Sequence, residues 1–234
     1  SEVVLIDVGS GNTKGAYSTG DDLRVVDIEF GTKAFATLVD DERGTEEFVI
    51  AADRLKRETV LSEMRRELSL HRPLGSKETV YLAGGIVWSL ATLIHPCQME
   101  IVISTAEELP SAFVQLSAAD FDNFYALLTQ TPEAVCSPVL SACSEDQLAF
   151  AEVDIAAVQE ETFTLEQLIG GAELLRALSA EMKFADKEAI FFSRYAFEAL
   201  PIGYLKQSLR EMADGPGCGD EVQPGVKGED VRTP

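Results

Sequence analysis

The chain has 234 residues, of which 46% are hydrophobic, so it can bury a substantial core as one large domain or two small ones. Its 19 basic and 40 acidic residues give a formal net charge of −21. This charge argues against binding to nucleic acid or to an anionic membrane, because both need clustered Lys and Arg. No apolar run reaches the roughly 18–20 residues that a bilayer-spanning helix needs, so we expect a soluble, cytoplasmic protein without a membrane partner.

The first predicted elements are short strands over residues 3–8, 12–18 and 23–30. The sequence Gly20-Asp21-Asp22 between the second and third strands is typical of a hairpin turn. The first strand is almost entirely apolar and carries Asp7 next to its last residue. A lone carboxylate on a buried strand needs a reason, because an unpaired buried charge is costly. We therefore interpret Asp7 as a residue that orders a metal ion.

The turn after Asp7 consists of small, amide and hydroxyl-bearing residues. Glycine allows unusual backbone dihedrals and close approach to a ligand, and successive N–H groups in such a turn form an anion-binding concavity. The turn therefore predicts a phosphate cradle beside the Asp7 carboxylate. The residues assigned to phosphate are Gly9, Ser10, Gly11, Asn12, Thr13 and Lys14. For Lys14 the alternative is a solvated lysine at the start of a strand.

A single helix is predicted over residues 45–70, with acidic residues at its start and basic residues further along. A fourth strand over 79–83 leads into Gly84 and Gly85, and a helix follows from Ile86 to about Leu93. This order places a backbone edge at a helix N-terminus, so the two glycines are a second candidate phosphate contact. The alternative is that they only let the strand and the helix pack closely.

The second half of the chain has weaker patterns. Residues 97–116 are interpreted as an irregular connection or an extra strand at Glu100–Ile103, and 132–158 as helical in pieces. Clear helices are predicted after Ser117 and, with a capping-box spacing, from Thr164 to Leu178. The remaining predictions are a buried strand at 189–193, a helix from Tyr195 to Met212, and a flexible tail over 213–234 that follows a single domain of residues 1–212.

The four cysteines, Cys97, Cys136, Cys143 and Cys218, form no Cys-x-x-Cys pair. Their spacing and that of the two histidines do not indicate a zinc site. We expect free thiols in a reducing compartment, since a chain of this length needs no disulfide framework.

The predicted order β-β-β-α-β-α, then helices and a final β-α unit, resembles the ribonuclease H-like half of the sugar kinase, actin and heat-shock ATPase superfamily. The residues Asp7, Gly9, Ser10, Gly11 and Lys14 reproduce its phosphate turn of the type Asp-x-Gly-Ser-Gly-x-x-Lys. Within it, residues 3 to about 209 are most similar to the exopolyphosphatase and guanosine pentaphosphate phosphohydrolase family. The resemblance implies an α/β fold, a ribonuclease H-like lobe with a mixed five-stranded sheet flanked by helices.

The motif spacing resembles the second of that family's two lobes. Residues 27–33 look like the strand and glycine after the family's second phosphate turn, and 80–85 are placed like its late Gly-Gly-Thr motif. The family's second turn usually reads Asp-x-Gly-Gly-Gly-Ser-x-Glu, so Ser10, Asn12 and Lys14 depart from it, as does Ile86 from the later threonine. The missing glutamate removes a metal- or water-handling group, and the family's catalytic base comes from the other lobe.

The resemblance implies a lobe that binds the phosphates of polyphosphate or of guanosine penta- or tetraphosphate. Asp7 would order Mg²⁺, and a phosphoanhydride would be hydrolysed where a partner lobe, or a second copy in a homodimer, supplies the base. The departures and the net charge instead favour a second hypothesis, a non-catalytic phosphate- or nucleotide-binding or regulatory module. A third hypothesis is a small-molecule kinase or actin-like ATPase lobe, which ATP-dependent transfer or filament formation would reveal.

Overall fold

The centre of the protein is one mixed sheet. A computed structural model describes residues 2–20, 22–98, 113–132 and 140–194, and six strands in these ranges lie in the order β3-β2-β1-β4-β6-β5. Neighbours β1, β2 and β3 are antiparallel, whereas β4 runs parallel to both β1 and β6. The strands are β1 (Val3–Val8), β2 (Thr13–Thr19), β3 (Asp22–Ile28), β4 (Thr79–Ala83), β5 (Phe113–Leu116) and β6 (Ala189–Ser193).

The mixed α/β architecture is as predicted, but the predicted number of five strands is wrong. All five predicted strands are present, and the sixth is β5, which pairs antiparallel with β6 at the edge of the sheet. In β5 only Val114 and Leu116 are buried, in alternation with the exposed Phe113 and Gln115. Four residues with two buried positions give too short an alternation for a strand to be recognised from sequence.

One face of the sheet lies in the hydrophobic core. Alternate residues of every strand point to this face, because successive side chains in a strand point to opposite sides. They join buried helix residues such as Phe35, Leu90 and Leu175 in a single cluster. The sheet residues in it are Val4, Ile6, Val8, Tyr17, Val26, Ile28, Val80, Leu82, Val114, Leu116, Ile190 and Phe192.

The opposite face carries exposed apolar side chains and an aromatic ladder. Leu23 is 71% exposed, Val25 59% and Phe113 53%. The ring of Tyr81 on β4 stacks on Phe191 of β6 at 5.5 Å between centroids and meets Phe113 of β5 edge-on at 5.7 Å. These cross-strand aromatic contacts stabilise the pairing of β4, β6 and β5.

The helix predicted over residues 45–70 begins later and contains a wider turn. It consists of α2 (Phe48–Leu55), a π turn (Lys56–Val60) and α3 (Leu61–Leu70). A helix that was not predicted, α1 (Thr32–Glu42), precedes it and buries Phe35, Ala36 and Val39. A short α4 (Arg72–Gly75) then leads to β4.

The later helices and turns are α5 (Gly85–Ile94), a 3₁₀ turn (Pro96–Gln98), α6 (Ala118–Gln130), α7 (Glu145–Ala157) with a π turn (Val158–Thr162), α8 (Leu165–Glu181) and a 3₁₀ turn (Phe184–Asp186). Three of these helices, α6, α7 and α8, begin at capping boxes. The predicted starts at Ser117 and Thr164 are confirmed as capping boxes with Asp120 and Gln167. Burial opposes the charge on Asp120, but the Ser117 N–H and His95 outweigh it and hold the pKa of that carboxyl below its usual value.

Replacing Thr164 with alanine is expected to lower the free energy of unfolding by about 1 kcal/mol. Its hydroxyl accepts a hydrogen bond from the Gln167 N–H at 3.2 Å, and alanine leaves that donor without its cap. Urea denaturation followed by circular dichroism measures the loss. The control Ser62→Ala, at an exposed position inside α3, should leave stability almost unchanged; an equal loss in both variants would contradict the capping role.

A buried ion cluster joins the first helices to α8. The Glu173 carboxylate is completely buried, and its Oε2 accepts hydrogen bonds from Lys56 Nζ at 2.6 Å and Arg176 Nη1 at 3.1 Å. Lys56 also binds Asp53 at 2.9 Å, and Arg176 binds Asp122 at 2.8 Å. The cluster therefore fixes α8 against the π turn after α2 and against α6.

The expectation of four free thiols is wrong for two of them, because Cys97 and Cys143 form a disulfide. They are 46 residues apart, and the bond connects the 3₁₀ turn after α5 to the residue before the N-cap of α7. No sequence pattern pairs cysteines at such a distance, so only the fold shows this contact. The cysteines at 136 and 218 lie outside the described residues.

Several predictions concern parts of the chain that the structure does not describe. They are the strand at Glu100–Ile103, the helix from Tyr195 to Met212 and the tail over 213–234.

None of the helices in the described ranges is both long enough and apolar enough to span a membrane.

Candidate functional site

The predicted phosphate turn packs against the start of α1. The carbonyl of Gly9 accepts a hydrogen bond from the Thr32 N–H at 2.9 Å, and that of Ser10 accepts from the N–H groups of Lys33 and Ala34. A Cβ on Gly31 would lie only 2.5 Å from the Gly9 carbonyl oxygen, so this position requires glycine. The turn thus satisfies the first amides of α1, and those amides cannot also bind a ligand.

Two of the predicted phosphate residues have structural partners. Thr13 is buried, and its hydroxyl donates to the Phe30 carbonyl at 2.8 Å. The Asn12 side-chain amide donates to Asp27 Oδ1 at 2.9 Å, while the Asn12 carbonyl accepts from the Gly9 N–H at 3.0 Å. The Gly9 amide is therefore already bonded within the turn. Ser10 and Gly11 lie exposed at its tip.

Asp7 and Lys14 are exposed neighbours on adjacent strands. The register pairs Asp7 with Lys14, and Lys14 with Asp27, so one lysine lies between two carboxylates on the same face of the sheet. The sequence argument from burial does not hold for Asp7, because β1 buries Val4, Ile6 and Val8 and turns Asp7 to solvent. Its charge needs no buried partner, and the carboxylate is open to a ligand.

The two predicted glycine motifs meet beside Asp7. Gly84 has a φ of +104°, a conformation that L side chains rarely adopt. A Cβ at this position would lie 2.2 Å from the Val8 carbonyl oxygen and 2.9 Å from Asp7 Oδ1. The close packing that the alternative invoked is thus present at Gly84, and it brings the start of α5 next to the Asp7 carboxylate.

The N-terminus of α5 carries no side-chain cap. Gly84 occupies the N-cap position, and its carbonyl accepts from the Trp88 N–H at 3.0 Å in the first helical bond. Among the described residues, no acceptor is found for the preceding amides of Gly85, Ile86 and Val87. Gly85 is exposed, whereas Ile86 is completely buried and contributes packing where the resembling family has a threonine. Orphan amides and the positive end of the helix dipole favour an anion here.

Two residues at this site were not predicted from the sequence. A Cβ on Gly85 would lie 3.0 Å from Cζ of Phe163, which places this ring directly over the first residue of α5. Lys33 Nζ lies 5.8 Å from the centroid of the same ring. Lys33 is exposed in the first turn of α1, and no carboxylate partner for it is found among the described residues.

Helix α8 holds the two helix starts together. A Cβ on Gly171 would lie 2.4 Å from Ile86 Cγ1 and 3.0 Å from Thr32 Cγ2. Gly170 packs in the same way on Ala36 of α1. The small residues of α8 therefore set the spacing between the starts of α1 and α5, a role that the apolar stripe of this helix does not reveal in sequence.

The cleft next to the turn is mainly acidic. A cleft of about 570 Å³ is lined by Gly11, Asn12, Asp27, Glu29, Arg66 and Glu67. Arg66 is paired with Glu63 and Glu67, so the acidic groups predominate. Within the described ranges no group of three or more His, Cys, Asp or Glu could alone hold a metal ion. Mg²⁺ commonly binds one or two carboxylates together with water and phosphate oxygens, and the exposed Asp7 is compatible with that mode.

Comparison with known proteins gives likeness of fold. No protein-family model and no curated protein matches the sequence. Among solved structures, the type II variant of the Aquifex aeolicus Ppx/GppA phosphatase is 13% identical, with a TM-score of 0.42 over 82% of this chain and 53% of that chain. An exopolyphosphatase-like protein is 12% identical, with a TM-score of 0.46 over 83% of this chain and 53% of that chain.

A second Aquifex aeolicus member of the Ppx/GppA family is 13% identical, with a TM-score of 0.45 over 88% of this chain and 56% of that chain. This chain therefore spans about half the length of the structures it matches. The family in these comparisons is the one that the sequence resembles, and the likeness concerns the fold.

Proposed function

We propose that this chain is a phosphate-binding lobe of a phosphohydrolase, with polyphosphate or guanosine penta- or tetraphosphate as its class of ligand. The observation that carries the proposal is the uncapped N-terminus of α5, which Gly84 places directly beside the exposed Asp7. Both groups lie at the carboxyl ends of the parallel strands β1 and β4, where α/β sheets commonly bind ligands.

The α5 amides provide the anion contacts. The N–H groups of Gly85, Ile86 and Val87 would donate to phosphate oxygens, and the tip of the turn at Ser10 and Gly11 would border the ligand on the β1 side. Lys14 contributes little net positive charge, because Asp7 and Asp27 flank it in the sheet register. Phosphate recognition then rests on backbone donors rather than on Lys14.

Asp7 is the residue that would hold Mg²⁺ at this site. When bound, the ion would neutralise phosphate charge and polarise the phosphoanhydride. The carboxylate orients the ligand set from the end of β1, and Gly84 keeps the space beside it free of a side chain. Hydrolysis also needs a general base, which we assign to a partner lobe or to a second copy of the chain.

Calorimetric titration with tripolyphosphate and guanosine tetraphosphate, each with and without MgCl₂, tests this proposal. Phosphate release is assayed in parallel on the same preparation. Magnesium-dependent binding of either ligand is the expected result. If neither ligand binds under any of these conditions, the phosphate-binding function is refuted.

Replacing Asp7 with asparagine is expected to weaken magnesium-dependent tripolyphosphate binding by roughly tenfold to a hundredfold. Without MgCl₂ the same variant should bind as well as the wild type or better, because a negative charge next to the anion is removed. The free energy of unfolding should not change, since Asp7 is exposed. Titrations of wild type, Asp7→Asn and the exposed α1 control Asp41→Asn measure this; equal losses in both variants would exclude a local role for Asp7.

A non-catalytic phosphate-binding module is the second candidate. The observation in its favour is that polar groups of the turn are already hydrogen-bonded within the protein. The Gly9 amide, the Thr13 hydroxyl and the Asn12 side chain all have such partners. Lys14 also stands where the resembling family has a glutamate. Tight binding without phosphate release, in the presence of added partner lobe, would support this candidate over the enzyme.

A further inference from the structure

We propose that the disulfide between Cys97 and Cys143 is a redox-sensitive cross-link that keeps Phe163 over Gly85 and thereby strengthens ligand binding at the phosphate site. The part of this inference that concerns ligand binding rests on the proposed function. The part that concerns α7 and Phe163 stands on packing alone.

The disulfide and the site lie at opposite ends of one pair of helices. Helix α5 begins at Gly85 in the site, and Cys97 follows its C-terminal end in the 3₁₀ turn. Cys143 precedes Ser144, the N-cap of α7. Helix α7 packs against α5 and the 3₁₀ turn and returns through its π turn to Phe163. The disulfide therefore joins the two helices at one end of the pair, and the contact of Phe163 with Gly85 joins them at the other.

In the described part of the chain, α7 itself contributes no residue to the main hydrophobic cluster. Its buried apolar residues Ala151 and Ile155 lie outside the main hydrophobic cluster, which α7 joins only at Val158, directly after its last residue. Val153 is 69% exposed. The buried carboxylate of Asp154 pairs with Arg194. The disulfide is a covalent tie at the start of this helix, and helices with few residues in the core open at low free-energy cost.

A reductant can reach the bond. Both cysteines are only half-buried. With a dithiol as the reductant, two electrons pass to the disulfide, the S–S bond breaks, each sulfur takes up one proton, and the dithiol is oxidised to its own disulfide. Reduction frees the N-terminal end of α7 from the turn after α5, and we expect the helix to transmit this motion through the π turn to Phe163, whose ring packs against the hydrophobic cluster.

Loss of the Phe163 contact should weaken ligand binding. The ring lies against Gly85, whose amide begins the anion-binding end of α5. With Phe163 in place, this end of α5 is shielded on one side and its amides are already arranged for the ligand. If the ring fluctuates, a smaller fraction of the protein molecules is competent to bind. We expect reduction to raise the dissociation constant for tripolyphosphate roughly fivefold.

Hydrogen exchange of the full chain in both redox states tests the proposal, in a Cys136→Ser/Cys218→Ser background in which only this pair can react. Treatment with dithiothreitol should speed amide exchange in residues 145–163 by roughly tenfold and leave β1 and β4 protected. Amide exchange in the double variant Cys97→Ser/Cys143→Ser should match that of the reduced protein and should not change when dithiothreitol is added. Equal exchange of 145–163 in the two states overturns the proposal, and so does a loss of protection throughout β1 and β4.

Tripolyphosphate titration of the same samples provides the second readout. Phe163→Ala should bind weakly when oxidised and no longer respond to dithiothreitol. An unchanged dissociation constant on reduction, with exchange accelerated, overturns the link to the site. If the oxidised wild type binds no tripolyphosphate at all, the proposed function fails, while the exchange experiment still decides whether the disulfide fastens α7.

Discussion

Replacing Glu173 with alanine is expected to lower the free energy of unfolding by about 3–5 kcal/mol. The substitution removes the only acceptor in the described chain that binds both Lys56 and Arg176, at 2.6 and 3.1 Å, and leaves Lys56 with the half-exposed Asp53 as its partner. Glu173 itself is completely buried, so truncation also leaves a cavity. Urea denaturation followed by the fluorescence of Trp88, the single tryptophan, measures the change.

Two further variants separate charge from volume. Glu173→Gln keeps the shape and one acceptor, so its loss should lie between those of the wild type and Glu173→Ala. Glu188→Ala removes an exposed carboxylate and should change stability by less than about 0.5 kcal/mol. A loss under about 1 kcal/mol in Glu173→Ala would show that Asp53 and Asp122 alone satisfy the two cations.

Replacing Gly84 with alanine is expected to cost about 3 kcal/mol or more and to abolish phosphate binding in whatever protein still folds. The φ of +104° disfavours any L residue, and the new Cβ would approach the Val8 carbonyl oxygen to 2.2 Å. Neither backbone can move without separating the start of α5 from Asp7. Thermal unfolding gives the stability, and titration with tripolyphosphate gives the binding.

Gly75→Ala is the matched control for this variant. A Cβ at Gly75 meets nothing within 4 Å, and its φ is not in the left-handed region. It should therefore fold and bind like the wild type. If Gly84→Ala is no less stable than Gly75→Ala, the close approach of α5 to β1 is not a requirement of the fold.

Three of the strands could be predicted from sequence because each is a short, nearly continuous apolar run. The predicted bounds of β1, β4 and β6 agree with the structure, and Gly9 and Gly84 mark two of these ends. Helix α1 was missed because its first amides are capped by the carbonyls of Gly9 and Ser10, more than twenty residues earlier in the chain. A cap supplied by a distant turn leaves no local signature, unlike the Thr164 box of α8.

The candidate site was only partly predictable, because several of its contacts also join residues that are distant in sequence. The assignments of Asp7, Gly84 and Gly85 stay predictions, and the structure places these residues together. The residues Thr13 and Asn12 were assigned to phosphate by type, but their partners Phe30 and Asp27 lie on or just beyond a neighbouring strand. Phe163 and Lys33 come from distant segments that only the packing of α8 brings to Gly85.

The wide turn between α2 and α3 bears on how this helix accommodates a buried lysine. The buried apolar positions of the helix advance by three or four residues up to Leu55 and then by five to Val60. A π turn holds one residue more than an α turn. Without that residue the apolar stripe would continue unbroken from Leu55 to Val60, and no charged position would be needed on its buried side. The extra residue of the wide turn is thus accommodated on the buried side of the helix, where Lys56 lies and its charge is balanced by Glu173 of α8.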